Sequence, residues 1–387
     1  MRELILDVET TISNKGNPFD ETNKLCYIGL SNGTSSNLYP IEFSDQPYGN
    51  NLSNTQTSID GCNLLIGFNI KFDLHWIRRY GITFNTKRIW DCQLVHFILT
   101  GQTASYPSLN GVAAYYNLGT KLDVVSTEYW KNGIDTPDIP EDILTEYLQG
   151  DLDLTYQVYL KQREELDKAS PQLRRLVSLH NQDLLVLEEM EYNGLVFDEA
   201  RCTDLGLELT EDIKRLDEIL FDYHQTDDFN CNSTEHLSAL LYGGTITLKR
   251  REAIGVFKTG TRAGQVKEKW VDYPIVFDKL VNPLKGSELA KEGFYSTDEQ
   301  TLKSLKGSKK AKELIELLLR RATLEKRVST YYEGLVKLRK EMKWNEGKLH
   351  GQLNQCVART GRLSSSRPNL QNFDGEIKEL FRSRYVT

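Results

Sequence analysis

Apolar residues in the first part of the chain fall in short blocks separated by polar turns. Leu4 to Val8 is a compact apolar strand, and Leu64 to Phe68 is another. FDLHWIRRYG follows the second block with helical spacing and is stopped by Gly81. From Glu141 to about Leu166 apolar positions recur at the helical period, with Pro140 just ahead of them. Strands alternating with helices predict an α/β domain over residues 1–165.

Farther along, the pattern becomes helical. Gln172 to Tyr192 carries leucines and valines three and four apart, and Asn193-Gly194 supplies a C-terminal stop. A second helix covers about 198–224. Ser296 and Glu299 have capping-box spacing and predict the start of a short helix. Ala311 to Met342 reads as one long helix. Between these, residues 243–295 are rich in Gly, Lys and Thr with weak periodicity, which predicts a basic, irregular insert. WNEGKL reads as a hairpin turn leading into strands through HGQLNQCVA. The expected layout is an α/β domain at 1–165, a helical region at 166–345 and a strand-bearing segment at 346–387.

Charge changes the picture. The net charge of −7 conceals 18 Lys and Arg against 38 Asp and Glu in residues 1–248, a net of −20. Residues 249–387 carry 30 against 17, a net of +13. An acidic front suits cations and a basic back suits phosphate, the plainer alternative being a solvated charged surface. The cysteines Cys26, Cys62, Cys92, Cys202, Cys231 and Cys356 form no C-x-x-C pair and read as reduced thiols of a cytoplasmic protein. No run approaches the roughly 18 consecutive apolar residues that cross a bilayer, so no membrane partner is expected.

In LILDVET the strand period places Asp7 and Glu9 on one face and Leu6 and Val8 on the other. Adjacent carboxylates repel unless solvent or a cation intervenes. Alone, such a pair is more often an exposed strand end. Asp73, in GFNIKFD, opens the helix after the second strand, where it also suits the helix dipole. In YLQGD, Tyr147 and Asp151 are four apart on one helix face, whereas Asp153 projects toward solvent. Gly150 beside them is unfavourable in a helix and suggests a close backbone approach. Taken together, these hard oxygen ligands suit two divalent cations, Mg²⁺ or Mn²⁺, of the kind that promote phosphodiester hydrolysis.

DVET, GFNIKFD and YLQGD, in that order, resemble the three motifs of the DnaQ-like (DEDDy) 3′→5′ exonucleases, whose fold is ribonuclease H-like. The resemblance implies that Asp7, Glu9, Asp73 and Asp151 are catalytic and bind metal. It also implies that Tyr147 positions the attacking water and that Asn69 supports DNA binding.

LLVLEEMEYNGLVFD, FNCNSTEHLSALLYGG and GFYSTDEQTLKSL resemble the opening helix and thumb of family A DNA polymerases. HGQLNQCVARTGRLSSSRPNLQN resembles that family's primer-template contact region at the start of the palm. DNA contacts are therefore implied for Thr360, Arg362, Ser364, Ser365, Asn369, Gln371 and Asn372. Arg362 can fork onto minor-groove acceptors, which differ little between base pairs. Phe373-Asp374 departs from the family's usual Ile-Pro after NLQN, which leaves the path of that loop open.

The resemblance implies a ribonuclease H-like α/β domain, a mostly helical thumb and the first β segment of a palm. The strand motif bearing the first polymerase aspartate, the fingers' basic helix and the H-D-E turn are not found, so a separate polypeptide carrying palm and fingers is expected beside DNA. The chain begins at the exonuclease strand, a layout similar to the short polymerases of bacteriophages. A stand-alone 3′→5′ exonuclease and a non-catalytic DNA-binding subunit are the competing readings. Release of mononucleotides with Mg²⁺, and its dependence on a partner chain, separates the three.

Overall fold

The computed structural model describes residues 2–43, 49–84, 88–120 and 123–383, so the last four residues of the expected palm segment lie outside it. They fall into two compact units, Met1–Glu199 with Val336–Thr387, and Ala200–Leu335.

The first unit is built on a five-stranded sheet in the order β3-β2-β1-β4-β5. Its strands are β1 (Glu3–Thr10), β2 (Leu25–Ser31), β3 (Ser36–Pro40), β4 (Leu64–Gly67) and β5 (Arg88–Asp91). β1, β4 and β5 run parallel, and β2 and β3 are antiparallel additions. Helices α1 (Asn51–Asp60), α2 (Lys71–Arg79), α3 (Cys92–Leu99) and α4 (Leu109–Tyr115) are interleaved, followed by α5 (Glu141–Lys168) and α6 (Pro171–Asn193).

Alternation along β1 divides the core. Leu4, Leu6 and Val8 pack with Leu74, Trp76 and Ile77 of α2, whereas Ile5 packs with Leu152, Val158 and Tyr159 of α5. Asp7 and Glu9 share the parity of Ile5 and so face α5. The helix lies close to the sheet there. A Cβ on Gly29, the β2 partner of Asp7, would stand 2.9 Å from Cδ1 of both Leu148 and Leu152. Gly150 behaves otherwise: a Cβ there meets nothing within 4 Å, so the close approach expected of it belongs to Gly29 instead.

The C-terminal segment belongs to this same unit. β6 (Leu195–Phe197) precedes the second unit, after which β9 (Lys348–Leu349), β10 (Gln352–Asn354), β11 (Ser364–Ser366), α12 (Gly375–Lys378) and β12 (Phe381–Arg382) complete the first. An ionic ladder joins α2 to α6. Lys71, His75 and Arg78, spaced four and three apart on α2, meet Glu188 and Glu191, spaced three apart on α6. Lys71 Nζ lies 2.6 Å from Glu191 Oε1, His75 Nε2 2.8 Å from Glu191 Oε2, His75 Nδ1 3.2 Å from Glu188 Oε1 and Arg78 2.6 Å from Glu188 Oε2. The ladder also grips β10: Leu353 N–H donates to Glu191 and Leu353 O accepts from Lys71.

The second unit packs α7 (Glu199–His224), α8 (Thr234–Tyr242), α9 (Glu299–Ser304) and α10 (Lys309–Arg327) around Leu220, Leu241, Leu314 and Leu318. α10 runs through a π-helical turn, Val328–Tyr332, into α11 (Glu333–Glu341), so the long helix expected from Ala311 carries a π-bulge. The cap of α9 is Asp298, whose carboxylate accepts from Thr301 N–H, rather than Ser296. Residues 243–295 also differ from expectation. Much of that stretch is an antiparallel hairpin, β7 (Gly244–Val256) and β8 (Val266–Phe277). Its outer part is exposed on both faces, so no alternation of apolar and polar residues marks it as strand. Among the described residues, no helix is long and apolar enough to cross a membrane.

Gly29→Ala should destabilise the protein by about 1–3 kcal/mol through overpacking, whereas Gly150→Ala should be neutral or stabilise it by up to about 1 kcal/mol. Urea unfolding distinguishes the two. The ladder predicts a pH signature. Burial alone would lower the His75 pKa, but the Glu188 and Glu191 carboxylates against its ring raise it, and the two carboxylates are lowered against their own burial by His75, Arg78 and Lys71. A raised histidine stabilises below its unfolded pKa and loses that contribution as pH rises through the folded value; lowered carboxylates lose theirs as pH falls through their folded values. The advantage of wild type over His75→Gln should therefore peak at roughly pH 4.3–6.5, between the ordinary carboxylate and imidazole values. Equal urea midpoints across that range would exclude the ladder's contribution.

Candidate active site

Asp7 and Glu9 come from β1 and Asp151 from α5, and one carboxylate oxygen of each lies within 4.8 Å of those of the other two. Glu9 and Asp151 are buried and Asp7 is half-buried. Three carboxylates at this spacing are a hard, oxygen-rich donor set of the kind Mg²⁺ and Mn²⁺ take.

Tyr147 stands one helical turn before Asp151. Burial, then the charges of Asp151, Glu9 and Asp7, push its pKa well up, so the phenol keeps its proton. Its ring meets Trp130 edge-on at 5.7 Å. Trp130 Nε1 donates to Thr136 Oγ1, which in turn donates to Thr10 O at the end of β1. The loop before α5 thus fixes the tyrosine against the strand bearing the acids.

Asp73 is near but outside the three-carboxylate set. It is 3 % exposed, and its Oδ1 accepts from Val8 N–H at 3.0 Å. β1 pairs with β4 only through Ile5, so this bond satisfies a strand amide beyond the parallel ladder. Burial, then the charge of Asp7, raises its pKa well above the usual carboxylate range. A divalent cation nearby would relieve that repulsion. The donor set and this electrostatic pressure both fit such an ion.

Asn69 lies exposed in the left-handed region, φ 58°, at the β4–α2 turn. Asp91, which the sequence reading passed over, holds this turn. Its carboxylate accepts from the N–H groups of Asn69 and Ile70 and also caps α3 through Gln93 and Leu94. The pattern Asp91 before an apolar helix was the available signal. Gly29, in the apolar strand LCYIGLS, was another, because a strand-interior glycine marks close packing.

The expected DNA-contact residues divide in two. Thr360, Arg362, Gln371 and Asn372 are exposed, and Ser364 is half-buried. Ser365 is buried, and Asn369, although exposed, turns its Oδ1 back onto the loop. Ser365 Oγ accepts from Leu370 N–H, and Asn369 Oδ1 accepts from Gln371 N–H and lies 3.3 Å from Ser365 Oγ. Their hydrogen-bonding atoms shape the loop. Gln371 Nε2 also donates to Leu363 O. The Phe373-Asp374 departure ends in helix: Asp374 caps α12 by accepting from Ile377 N–H, and Phe373 stacks on Phe381 at 5.3 Å.

Comparison with known proteins follows the same division. Residues 1–167 match the 3′-5′ exonuclease family, and residues 273–386 match DNA polymerase family A. The chain is 28% identical over 324 residues to DNA polymerase I of Synechocystis sp., covering 81% of this chain and 28% of that protein. It is 33% identical over 187 residues to the thermostable DNA polymerase I of Thermus caldophilus, covering 48% of this chain and 17% of that one. The chain thus spans less than a third of these relatives, both of them bacterial, and they lend no support to the phage type expected. Among solved structures, the POL domain of Pol1 from M. smegmatis, in complex with DNA primer-template and dNTP, aligns with a TM-score of 0.62. That likeness covers 99% of this chain and 54% of the other at 18% identity, and is one of fold. The chain thus carries an N-terminal segment that matches the 3′-5′ exonuclease family and a C-terminal segment that matches DNA polymerase family A.

Proposed function

We propose that this chain is a metal-dependent 3′→5′ exonuclease that removes nucleotides from a DNA 3′ end, joined to the primer-template-binding part of a family A DNA polymerase. The convergence of Asp7, Glu9 and Asp151 carries this reading. These three, with Asp73 beside them, would hold two divalent ions. Such ions supply activation of a water and neutralisation of the phosphodiester's charge.

The chain's own residues do the rest. Tyr147, held protonated beside the carboxylates, donates its O–H to orient the attacking water. Asp73 keeps β1 in place through Val8 N–H, so it positions Asp7 and Glu9 as well as lending charge. Asn69, exposed at the turn leading to Asp73, would meet the strand being cut. The side chains of Thr360, Arg362, Ser364, Gln371 and Asn372 would contact duplex phosphate and minor groove. Ser365 and Asn369 would contribute by fixing the loop that presents them. Polymerisation would need the family's remaining palm and fingers, supplied by a second polypeptide or a longer form of this chain.

Purified protein with Mg²⁺ should release mononucleotides from a single-stranded 3′ end. Asp7→Ala and Asp151→Ala should each lower that rate by roughly 10³-fold or more while leaving DNA affinity within about twofold. Unchanged hydrolysis in either variant overturns the assignment. Asp73→Asn, which can still accept from Val8 N–H, should fold normally and lose rate; Asp73→Ala should in addition lower the melting temperature. Arg362→Ala should weaken primer-template binding in the assembly containing palm and fingers, and normal primer extension there would contradict its role.

A further inference from the structure

A second hollow opens in the α/β unit, away from the carboxylates. It is a cavity of about 460 Å³ bounded by the starts of β4 and β5, the end of α5 and the first half of α6. Arg163, which lines it, stands twelve residues along α5 from Asp151, about 18 Å at the helical rise, so the hollow is separate from the acidic site.

Arginine is concentrated there. Residues 1–199 hold seven arginines. Arg78 pairs with Glu188, and Arg79 donates to the carbonyls of Pro18 and Asp20. Three of the others, Arg88, Arg163 and Arg174, line this one hollow, and among the described residues no Asp or Glu lines it. Arg163 lies 3.3 Å from Glu3, but both side chains are partly in water, where such a pair is worth little. Arg174 is the fourth residue of α6, whose first turn carries no acidic residue. A cation near that end does the helix no service, and the dipole adds to its positive field. Each guanidinium presents a planar fork that matches phosphate oxygens in pairs.

The rest of the wall is apolar and preformed. Leu64, Ile89, Leu166, Val177 and Leu185 supply aliphatic surface. Trp90 is locked, its Nε1 donating to Gln162 Oε1 at 2.9 Å and its ring meeting Tyr159 edge-on at 5.2 Å. Asn181 is fixed as well, accepting from Asp91 N–H and donating to Val177 O. Ser178 and Gln182, exposed on α6, add a hydroxyl and an amide. Apolar surface with a few polar groups in a cavity of this size is the pattern of a small-molecule site. A bare anion would use the arginines and leave the apolar wall without a partner. A nucleoside phosphate uses both, its base against Trp90 and the aliphatic side chains and its phosphates on the guanidinium groups.

We propose that this hollow binds a nucleoside di- or triphosphate, at a site separate from the carboxylates and independent of the exonuclease activity proposed above.

The test is calorimetric titration of the full chain, in EDTA, with dATP, deoxyadenosine and tripolyphosphate. EDTA removes the cations through which a nucleotide could bind the carboxylates. Wild type should bind one dATP per chain, and deoxyadenosine and tripolyphosphate each about tenfold more weakly or worse. Arg88→Gln/Arg174→Gln changes two exposed side chains, which the fold tolerates, and should weaken dATP roughly tenfold or more. Arg88→Lys/Arg174→Lys should fall between the two, keeping the charge but not the fork. Asp7→Ala should bind dATP as wild type does. Absence of dATP binding, or an unchanged affinity in the Gln variant, overturns the proposal. Equal affinity for tripolyphosphate and dATP overturns the nucleoside assignment. Loss of binding in Asp7→Ala places the nucleotide at the acidic site and overturns the separate one. Binding of a polyglutamate peptide without binding of dATP makes the hollow a protein-binding surface instead.

Discussion

The close seating of α5 on the sheet is what everything at the site depends on. Asp7 and Glu9 are fixed by β1, but Asp151 reaches them only because Leu148 and Leu152 settle onto Gly29, where any side chain would hold the helix away. Three carboxylates within 4.8 Å repel one another, so the attraction that assembles them must come from elsewhere. It comes from burial around Ile5, Leu152, Val158 and Tyr159 on one side of Asp151, and around Tyr27, Leu144 and Leu148 on the other. At about 1.5–3 kcal/mol for each fully buried side chain, this packing can hold like charges at a spacing they would not choose.

How much of this could be read from the chain depends on whether a residue's role follows from local period. Asp7, Glu9, Tyr147 and Asp151 were legible because the strand period of two and the helix step of four put each pair on one face, and tertiary packing only had to bring the faces together. Asp73 was legible as a residue, but not its bond to Val8 N–H, since where β1 outruns its parallel partner is a property of the sheet. The same limit explains the two glycines. Helix propensity drew attention to Gly150, whereas the glycine under steric demand lies in β2, and only the packed structure shows what lies over it. Buried Ser365 shares a motif with outward-facing neighbours, and the exposed Asn369 also caps the turn it opens, so the sequence has no means of separating side chains that shape a loop from those the loop presents.

The ladder between α2 and α6 gives the C-terminal segment its place. Asp73 and Lys71 share a helix two residues apart, one reaching to β1 and the other to β10. Glu191 completes the link by accepting from the amide of Leu353, in the strand that pairs with Ser364–Ser366. A helix that positions the acidic strand therefore also positions the hairpin entering the loop of exposed polar residues. This explains why Val336–Thr387 clusters with the α/β domain and not with the helices that precede it in the chain. The connection is made of charged groups largely withdrawn from water, where removing one partner costs more than the pair contributes, so the two ends of α2 are held in register.

Net charge by segment was informative, but for a narrower reason than its size suggests. Much of the acidity of the front half is answered internally: Glu188 and Glu191 by the bases of α2, Asp91 by four backbone amides. The basic back half is likewise mixed, with Arg321 largely buried against Asp217 while Lys249, Lys267 and Lys269 stand in solvent. A folded chain answers the charges it buries, because leaving them unanswered costs several kcal/mol each. The charges that speak for a ligand are therefore those the fold concentrates instead of neutralising: like carboxylates gathered at the end of β1.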